Sequence, residues 1–344
     1  MPRSVSRSRR KTPWDEVDAK DLTATQAFLK ETYGAHYQER HPLLIESGEY
    51  RIINDHIPAK CPACGSVSIV KRGLTKNLVQ RYKCKECGGT FLPTTGTIFD
   101  EHRVAISEWV EYCLNLFRYV SINADSWNNK NAFTTSKYWL AKVFLTLEGY
   151  QDTYTLKKRV WLDETYYPLI FSDLERDSEG HKLAGISRNQ ICVGCGVDEE
   201  RCICVMEGFG KPTMEKSFNS FKNRIERGSE LIHDREKTHR RLVEYLNLTS
   251  TTYLAKELKG LPDKENPLDP VNHTHYMLKR FLNAHSGFSR NELDGYLNLY
   301  AFVHNPPHDP LEKVELLLNM AFDNPHSLRY RDYYRSNSII ENGS

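Results

Sequence analysis

The sequence predicts a multidomain α+β protein. Three observations carry that expectation: two paired-cysteine units between residues 61 and 87, a helical period that begins at residue 106, and a β-β-β-α-β order from about residue 157 with helices after it. At 344 residues the chain exceeds what one hydrophobic core usually serves, which also favours several domains. A mean hydropathy of -0.60 and the lack of any run of 18 apolar residues exclude a membrane-spanning helix. No apolar stretch follows the basic N-terminus, so no secretory signal is expected. With 47 Lys+Arg against 45 Asp+Glu, net charge says little about partners and only local clusters can.

The paired cysteines come first. Cys61-Pro-Ala-Cys64-Gly65 and Cys84-Lys-Glu-Cys87-Gly88 give the spacing C-x2-C-x19-C-x2-C, which marks a four-thiolate zinc site. Two sulfurs two residues apart share one edge of a metal tetrahedron, and the glycine after each pair permits the turn. Four thiolates close the shell, so the expected zinc is structural, and it supplies the folding energy that so short a segment lacks. Nine cysteines with four in such pairs suit a reducing compartment, so the expected location is cytoplasmic, nucleoid-associated if the source is bacterial. Lys71, Arg72, Lys76, Arg81, Lys83 and Lys85 stand against one acid, Glu86, between the outer cysteines. That excess suits either nucleic-acid contact or a solvated basic face. Arg3, Arg7, Arg9, Arg10 and Lys11 pose the same choice, a solvated start or an arm that tracks a DNA backbone.

Helices follow. Leu22, Phe28 and Leu29 suggest a short helix over 22–33. Ile106, Trp109, Val110, Cys113, Leu114 and Phe117 fall on one helical face. After a polar piece from Ser121 to Asn131, Thr134 or Thr135 can cap a second helix with Leu140, Val143, Phe144 and Leu147 as its apolar face. The arrangement reads as a helix-turn-helix leading with Ser136, Lys137 and Lys142 into a major groove, or as an ordinary helical bundle.

The third segment carries the acids. Arg159 to Asp163 reads as a buried strand, and 190–197 with 201–207 as a hairpin split by Asp198-Glu199-Glu200. Pro212 opens a helix with Met214, Phe218, Phe221 and Ile225 on one face, and 230–234 is a further short strand. Cys192, Cys195, Cys202 and Cys204 lack the paired-knuckle pattern and are expected to be core, as is Cys113. Asp163 and Asp234 each end a strand. Acids so placed, in this element order, are what a ribonuclease-H-like nuclease core uses to converge on divalent metal. A third ligand would come from a later helix, with Glu257, Glu265, Asn272 and Glu292 as candidates. Ser289-x-x-Glu292 is a capping box, which gives Glu292 a structural role, and Glu265 sits in a proline-rich loop. Asn272 and Lys279 lie about two helical turns apart and share a face. A helix built on Val314, Leu317, Leu318, Met320 and Ala321 is expected in the tail.

At these residues the chain resembles the zinc-ribbon DDE-type insertion-sequence transposases, relatives of the eukaryotic Merlin elements. The resemblance rests on CPACGS at 61–66, RYKCKECGGTF at 81–91, TTGTIF at 94–99, WLDETY at 161–166, SRNQICVG at 187–194, IHDRE at 232–236 and NHTHYMLKR at 272–280. It implies a basic arm and short helical segment (1–55), a zinc ribbon (56–100), a helix-turn-helix-like domain (101–150), a ribonuclease-H-like catalytic domain (156–305) and a tail (306–344). It further implies Asp163, Asp234 and Asn272 as ligands of Mg2+ or Mn2+, with Lys279 beside the phosphate. The partner implied is double-stranded DNA, as transposon ends and target, handled by a homo-oligomer. Many members carry glutamate in third place, and this chain is similar to the subgroup with asparagine. Two other classes stay open: a non-catalytic zinc-ribbon regulator derived from a transposase, and a plain nuclease or resolvase on the same fold.

Overall fold

A computed structural model describes residues 16–23, 26, 50–100, 106–129, 131–234, 237–323 and 326–334. The basic arm, and nearly all of the helix expected over 22–33, lie outside the described residues. No described helix is long and apolar enough to cross a membrane. The chain forms two compact units, Met1–Lys142 with Val314–Ser344, and Val143–Lys313.

In the first unit, α1 (Tyr50–Asp55) precedes a three-stranded antiparallel sheet of β1 (Ile69–Leu74), β2 (Gln80–Cys84) and β3 (Thr90–Phe91). Its core holds only Cys61, Tyr82, Cys84 and Phe91, with Ile69 packed alongside. So small an apolar cluster cannot fold a segment of this length unaided. Three helices follow: α2 (Ile106–Phe117), α3 (Ile122–Asn128) and α4 (Phe133–Thr146). α2 and α4 are locked by aromatic packing, with Trp109 stacked on Trp139 at 4.6 Å and Tyr112 edge-on to Trp139. The polar piece between the two expected helices is itself a helix. Ser121 caps it by accepting from the Ala124 N–H at 3.2 Å, and buried Asp125 accepts from Asn115 at 3.0 Å and Asn129 at 2.7 Å.

The second unit is built on one five-stranded sheet. In chain order its strands are β4 (Arg159–Pro168), β5 (Gln190–Val197), β6 (Cys202–Phe209), β7 (Glu230–Asp234) and β8 (Thr249–Tyr253), and in space they run β6-β5-β4-β7-β8. β4, β5 and β6 form an antiparallel meander, and β7 and β8 join β4 in parallel. Parallel neighbours need a crossover. α5 (Met214–Phe221) lies in the first, and α6 (Arg240–Leu246) in the second. Both crossovers cover one face of the sheet, where Val160, Leu162 and Leu231 pack with Phe218, Phe221, Leu242 and Leu246. The other face meets α8 (Asp269–Ala284), which follows the short α7 (Ala255–Leu258); the Trp161 indole donates to the Pro267 carbonyl at 2.8 Å, just before α8 begins. α9 (Leu293–His304) supports α8 through a Tyr300 hydroxyl bond to the Thr274 carbonyl at 3.1 Å. The expected tail helix is α10 (Pro310–Asp323). Cys113, Cys192, Cys195, Cys202 and Cys204 are all buried free thiols, as expected of core positions.

Two glycines let α5 approach the sheet. A Cβ on Gly196 would lie 2.7 Å from Leu156 Cδ1 and 3.0 Å from Phe221, and one on Gly194 would lie 2.6 Å from Glu207 Oε1 and 2.7 Å from Phe221. Leu156 and Phe221 are fully buried and cannot withdraw from a close-packed core without strain. Gly196→Ala is therefore expected to lower unfolding free energy by about 1–3 kcal/mol, read as a lower denaturant midpoint at unchanged slope.

Candidate functional site

The four paired cysteines converge. Their sulfurs lie within 4.8 Å of one another, with Cys61–Cys87 at 3.7 Å and Cys64–Cys84 at 3.6 Å. A tetrahedron with zinc–sulfur bonds of about 2.3 Å has edges of about 3.8 Å, so the donor set fits zinc. Both knuckles close as expected: Gly65 (φ +74°) and Gly88 (φ +73°) return N–H bonds to the Cys61 and Cys84 carbonyls at 2.9 and 3.1 Å. Backbone N–H groups aimed at the sulfurs favour thiolates. The Cys87 and Glu86 N–H groups hold Cys84 down to about 6, and the Cys64 N–H lowers Cys61. The purified chain should carry about one zinc. Cys84→Ser should lose it and unfold β1–β3, read as collapse of that segment's amide dispersion in NMR spectra. A dispersed spectrum without zinc would contradict this.

The basic residues of this segment divide by exposure. Lys71, Arg72, Lys76, Arg81 and Lys85 are exposed, and Lys83 is half-buried. Arg81 and Lys83 share the outward face of β2, opposite buried Tyr82 and Cys84. The expected leading residues of the second helix need correction. Ser136 is fully buried, and its carbonyl takes the Tyr112 hydroxyl at 2.7 Å. Lys142 is only 2% exposed; its ammonium donates to the Ile98 carbonyl and lies over the Tyr138 ring at 4.7 Å. Burial lowers its pKa to about 8. Lys142 is thus an internal tie, not a surface cation, because its position on α4 faces the packed side of the helix. Lys137 is half-buried.

In the second unit, strand register decides where the acids go. β4 and β7 pair in parallel through Arg159–Glu230, Val160–Leu231 and Trp161–Ile232. Continued by two residues, that register brings Asp163 level with Asp234. Asp234 ends β7 as expected, but Asp163 stands midway along β4, which runs on to Pro168 because it pairs with β5 over that whole length. Side chains alternate, so Trp161, Asp163, Ile232 and Asp234 belong to the α8 face, while Leu162, Glu164, Leu231 and His233 belong to the α5–α6 face. Burial raises the Asp163 carboxyl to about 6; the His275 cation lowers it, and the Glu164 and Asp234 charges push it further up. Two carboxylates that repel across adjacent strands are a donor set suited to a hard divalent cation.

α8 brings the remaining expected residues. His275 Nδ1 lies 3.9 Å from Asp163 Oδ2, and its Nε2 lies 3.4 Å from the Asp163 carbonyl. Burial opposes the His275 cation, but Cys195 and Asp163 hold its pKa above the ordinary value. With about 100° per residue, Lys279, Asn272 and Tyr276 follow His275 in order around the helix, away from the sheet. Asn272, Tyr276 and Lys279 are exposed. The alternatives to Asn272 have other settings: Glu257 accepts from the Leu254 N–H at 3.3 Å, Glu265 is exposed in a 3-10 turn, and Glu292 ends the 3-10 turn that Ser289 caps.

The sequence reading missed His275, Glu164, His233 and His239. His275 stands three residues after Asn272 and could have been found from helical spacing. His239 could not, because its partners meet it only in the fold. Its Nε2 lies 3.0 Å from Glu164 Oε1 and its Nδ1 lies 3.1 Å from His233 Nδ1, while His233 Nε2 lies 3.0 Å from Ser250 Oγ. Burial opposes the His239 cation, yet the Glu164 bond raises its pKa; burial and the His239 charge together drop His233 to about 4. Two proton arrangements satisfy the chain: imidazolium His239 donating to Glu164 and to His233, or neutral His239 donating to Glu164 and accepting from His233. Beside it, burial and then Glu164 raise Glu207 to about 8. Glu207 also lines a cleft of about 620 Å³ on this side, where Glu148, Asp152, Glu207, Glu215 and Asp294 outnumber Lys216 and Arg224. Its charge has the wrong sign for a polyphosphate.

A raised carboxyl makes a sign-definite prediction. Because Asp163 binds its proton more tightly folded than unfolded, its contribution to stability is lost as pH rises from about 4 through about 6. Asp163→Asn should therefore raise the thermal midpoint at pH 7.5 in buffer free of magnesium and manganese. The difference should shrink toward zero near pH 4.

No protein-family model matches the chain. It is 36% identical over 63 residues to an uncharacterized protein in transposable element ISH50 of Halobacterium salinarum, a match covering 18% of this chain and 20% of that protein. The chain thus aligns with about a fifth of the length of this relative. A chain in a cryoEM structure of the simian T-cell lymphotropic virus intasome with PP2A regulatory subunit B56 gamma is similar at 11% identity over 43% of this chain and 49% of its own, with a TM-score of 0.27, too low to carry an argument.

Proposed function

We propose that the chain is a DNA transposase that binds the ends of a mobile element and catalyses metal-dependent strand cleavage and strand transfer. The observation that carries the reading is the pair Asp163 and Asp234 on one face of adjacent parallel strands, at the centre of a sheet ordered β6-β5-β4-β7-β8. That order, with three antiparallel strands followed by two parallel ones, is the arrangement expected of a ribonuclease-H-like core. The ISH50 relative and the four-cysteine cluster support the same reading.

Asp163, Asp234 and Asn272 would hold Mg2+ or Mn2+. When bound, such ions supply Lewis-acid activation of water and charge stabilisation for in-line phosphoryl displacement. The chain's own groups have further roles. His275 orients Asp163, and Lys279 sets a cation on the same helical face as Asn272, where the scissile phosphate would approach. Lys71, Arg72, Lys76, Arg81 and Lys83 hold the DNA backbone, which positions the duplex without reading its sequence. Hydrolysis of one phosphodiester at the element's end frees a 3′ hydroxyl. That hydroxyl then attacks a target phosphodiester, forming one P–O bond as another breaks and releasing a target 3′ hydroxyl. Because two ends must be joined, the reading includes a homo-oligomer.

Asp163→Asn and Asp234→Asn should each abolish cleavage of cognate end DNA in magnesium, by at least about a thousandfold, and leave end binding intact. Asn272→Ala should cost far more cleavage than Glu265→Ala or Glu292→Ala. Cutting by either aspartate variant would overturn the assignment. End binding without cleavage by the wild type would favour a non-catalytic regulator, and cleavage without strand-transfer products a plain nuclease.

A further inference from the structure

The Glu164–His239–His233 chain lies on the sheet face away from the proposed metal. It is buried: His239 is fully enclosed and His233 is 4% exposed, within an apolar layer of Leu162, Leu231 and Leu242. Buried polar and charged groups in such a layer can often be replaced by apolar side chains with no loss of stability. Its placement therefore points to a task other than holding the fold together.

The task follows from which residues it grips. Glu164 is the chain neighbour of Asp163, and His233 the neighbour of Asp234. The β4–β7 ladder ends at Trp161–Ile232, two residues short of both acids. Beyond that point Asp163, midway along β4, and Asp234, at the end of β7, are laddered only to their outer neighbours Cys195 and Tyr253. His239, in the 3-10 turn Lys237–His239 that leads into α6, bonds Glu164 at 3.0 Å and His233 at 3.1 Å. Ser250 on β8 anchors the far side of His233 at 3.0 Å. Side chains that point the opposite way thus tie β4 to β7 beside the acids, and tie β7 to β8 through Ser250, which is level with Leu231. Glu207 of β6 and Asp234 of β7 also face His239 electrostatically.

We propose that His239 is a positioning residue that, by bonding Glu164 and His233 at once, fixes the spacing of Asp163 and Asp234 for a divalent cation. The inference rests on the metal-dependent reading of the acid pair and names the device that presets it. Groups that orient metal ligands without touching the metal typically change metal affinity by 10–100-fold when removed.

The test is a calorimetric titration of the zinc-loaded full chain with Mn2+ at neutral pH, on wild type and on His239→Ala, His239→Gln, Glu164→Gln and Asp163→Asn variants. His239→Ala is expected to bind Mn2+ at least about tenfold more weakly, with unchanged affinity for end DNA. His239→Gln keeps a donor toward Glu164 and should recover part of the loss. A folded His239→Ala chain that binds Mn2+ within twofold of wild type would overturn the proposal and leave the metal reading standing. If His239→Ala does not fold, Glu164→Gln decides: weaker Mn2+ binding supports the clamp, and binding within twofold of wild type overturns it. Wild type binding no more tightly than Asp163→Asn would overturn the metal reading and this inference with it, a pattern that differs from the first.

Discussion

The placement of Asp163 and Asp234 on one face of adjacent parallel strands is the constraint on which the proposed reading of the second unit depends. Parallel register between β4 and β7 aligns the two carboxyls on one face, and partial burial drives Asp163 up to about 6. Left alone, such a pair would weaken the sheet at its centre. The surrounding structure answers from both sides. His275 supplies a partner on the α8 face, and the buried Glu164–His239–His233 chain ties β4 to β7 from behind. A buried carboxyl whose pKa is raised by its surroundings is a common mark of functional sites.

The first unit meets a different shortage. Its three-stranded sheet encloses too little apolar surface to fold unaided, and four sulfurs at zinc-tetrahedron spacing could hold a metal that makes up the difference. The helices after it rely on aromatic stacking among Trp109, Tyr112 and Trp139, with Lys142 used internally as a donor to the Ile98 carbonyl. Both units therefore carry polar or ionic groups inside, but for opposite ends. In the first they complete a core. In the second they fix a geometry that a core alone would leave loose.

Much of this was legible in the sequence, and the exceptions have physical causes. CxxC spacing depends only on local turns, so the cysteine cluster could be read directly. The strands bearing Asp163 and Asp234 were legible because Val160, Leu162 and Leu231 make a continuous apolar signal. α3 was not, since its stability comes from the Ser121 cap and buried Asp125, in a segment with almost no apolar period. β8 was missed because it is the threonine-rich segment Thr249–Tyr253 at a sheet edge, with no buried residue of its own. Lys142 misled because a lysine on an amphipathic helix normally lies outside, and only packing shows that this one does not. His239 was beyond reach because its partners are 75 and six residues away in the chain.

Anomalous diffraction from crystals grown with Mn2+ at neutral pH tests the central claim most directly. The account predicts manganese density between the Asp163 and Asp234 carboxyls on the α8 side of the sheet, separate from zinc among the four cysteines. Manganese density elsewhere, with the two acids turned apart, would contradict it.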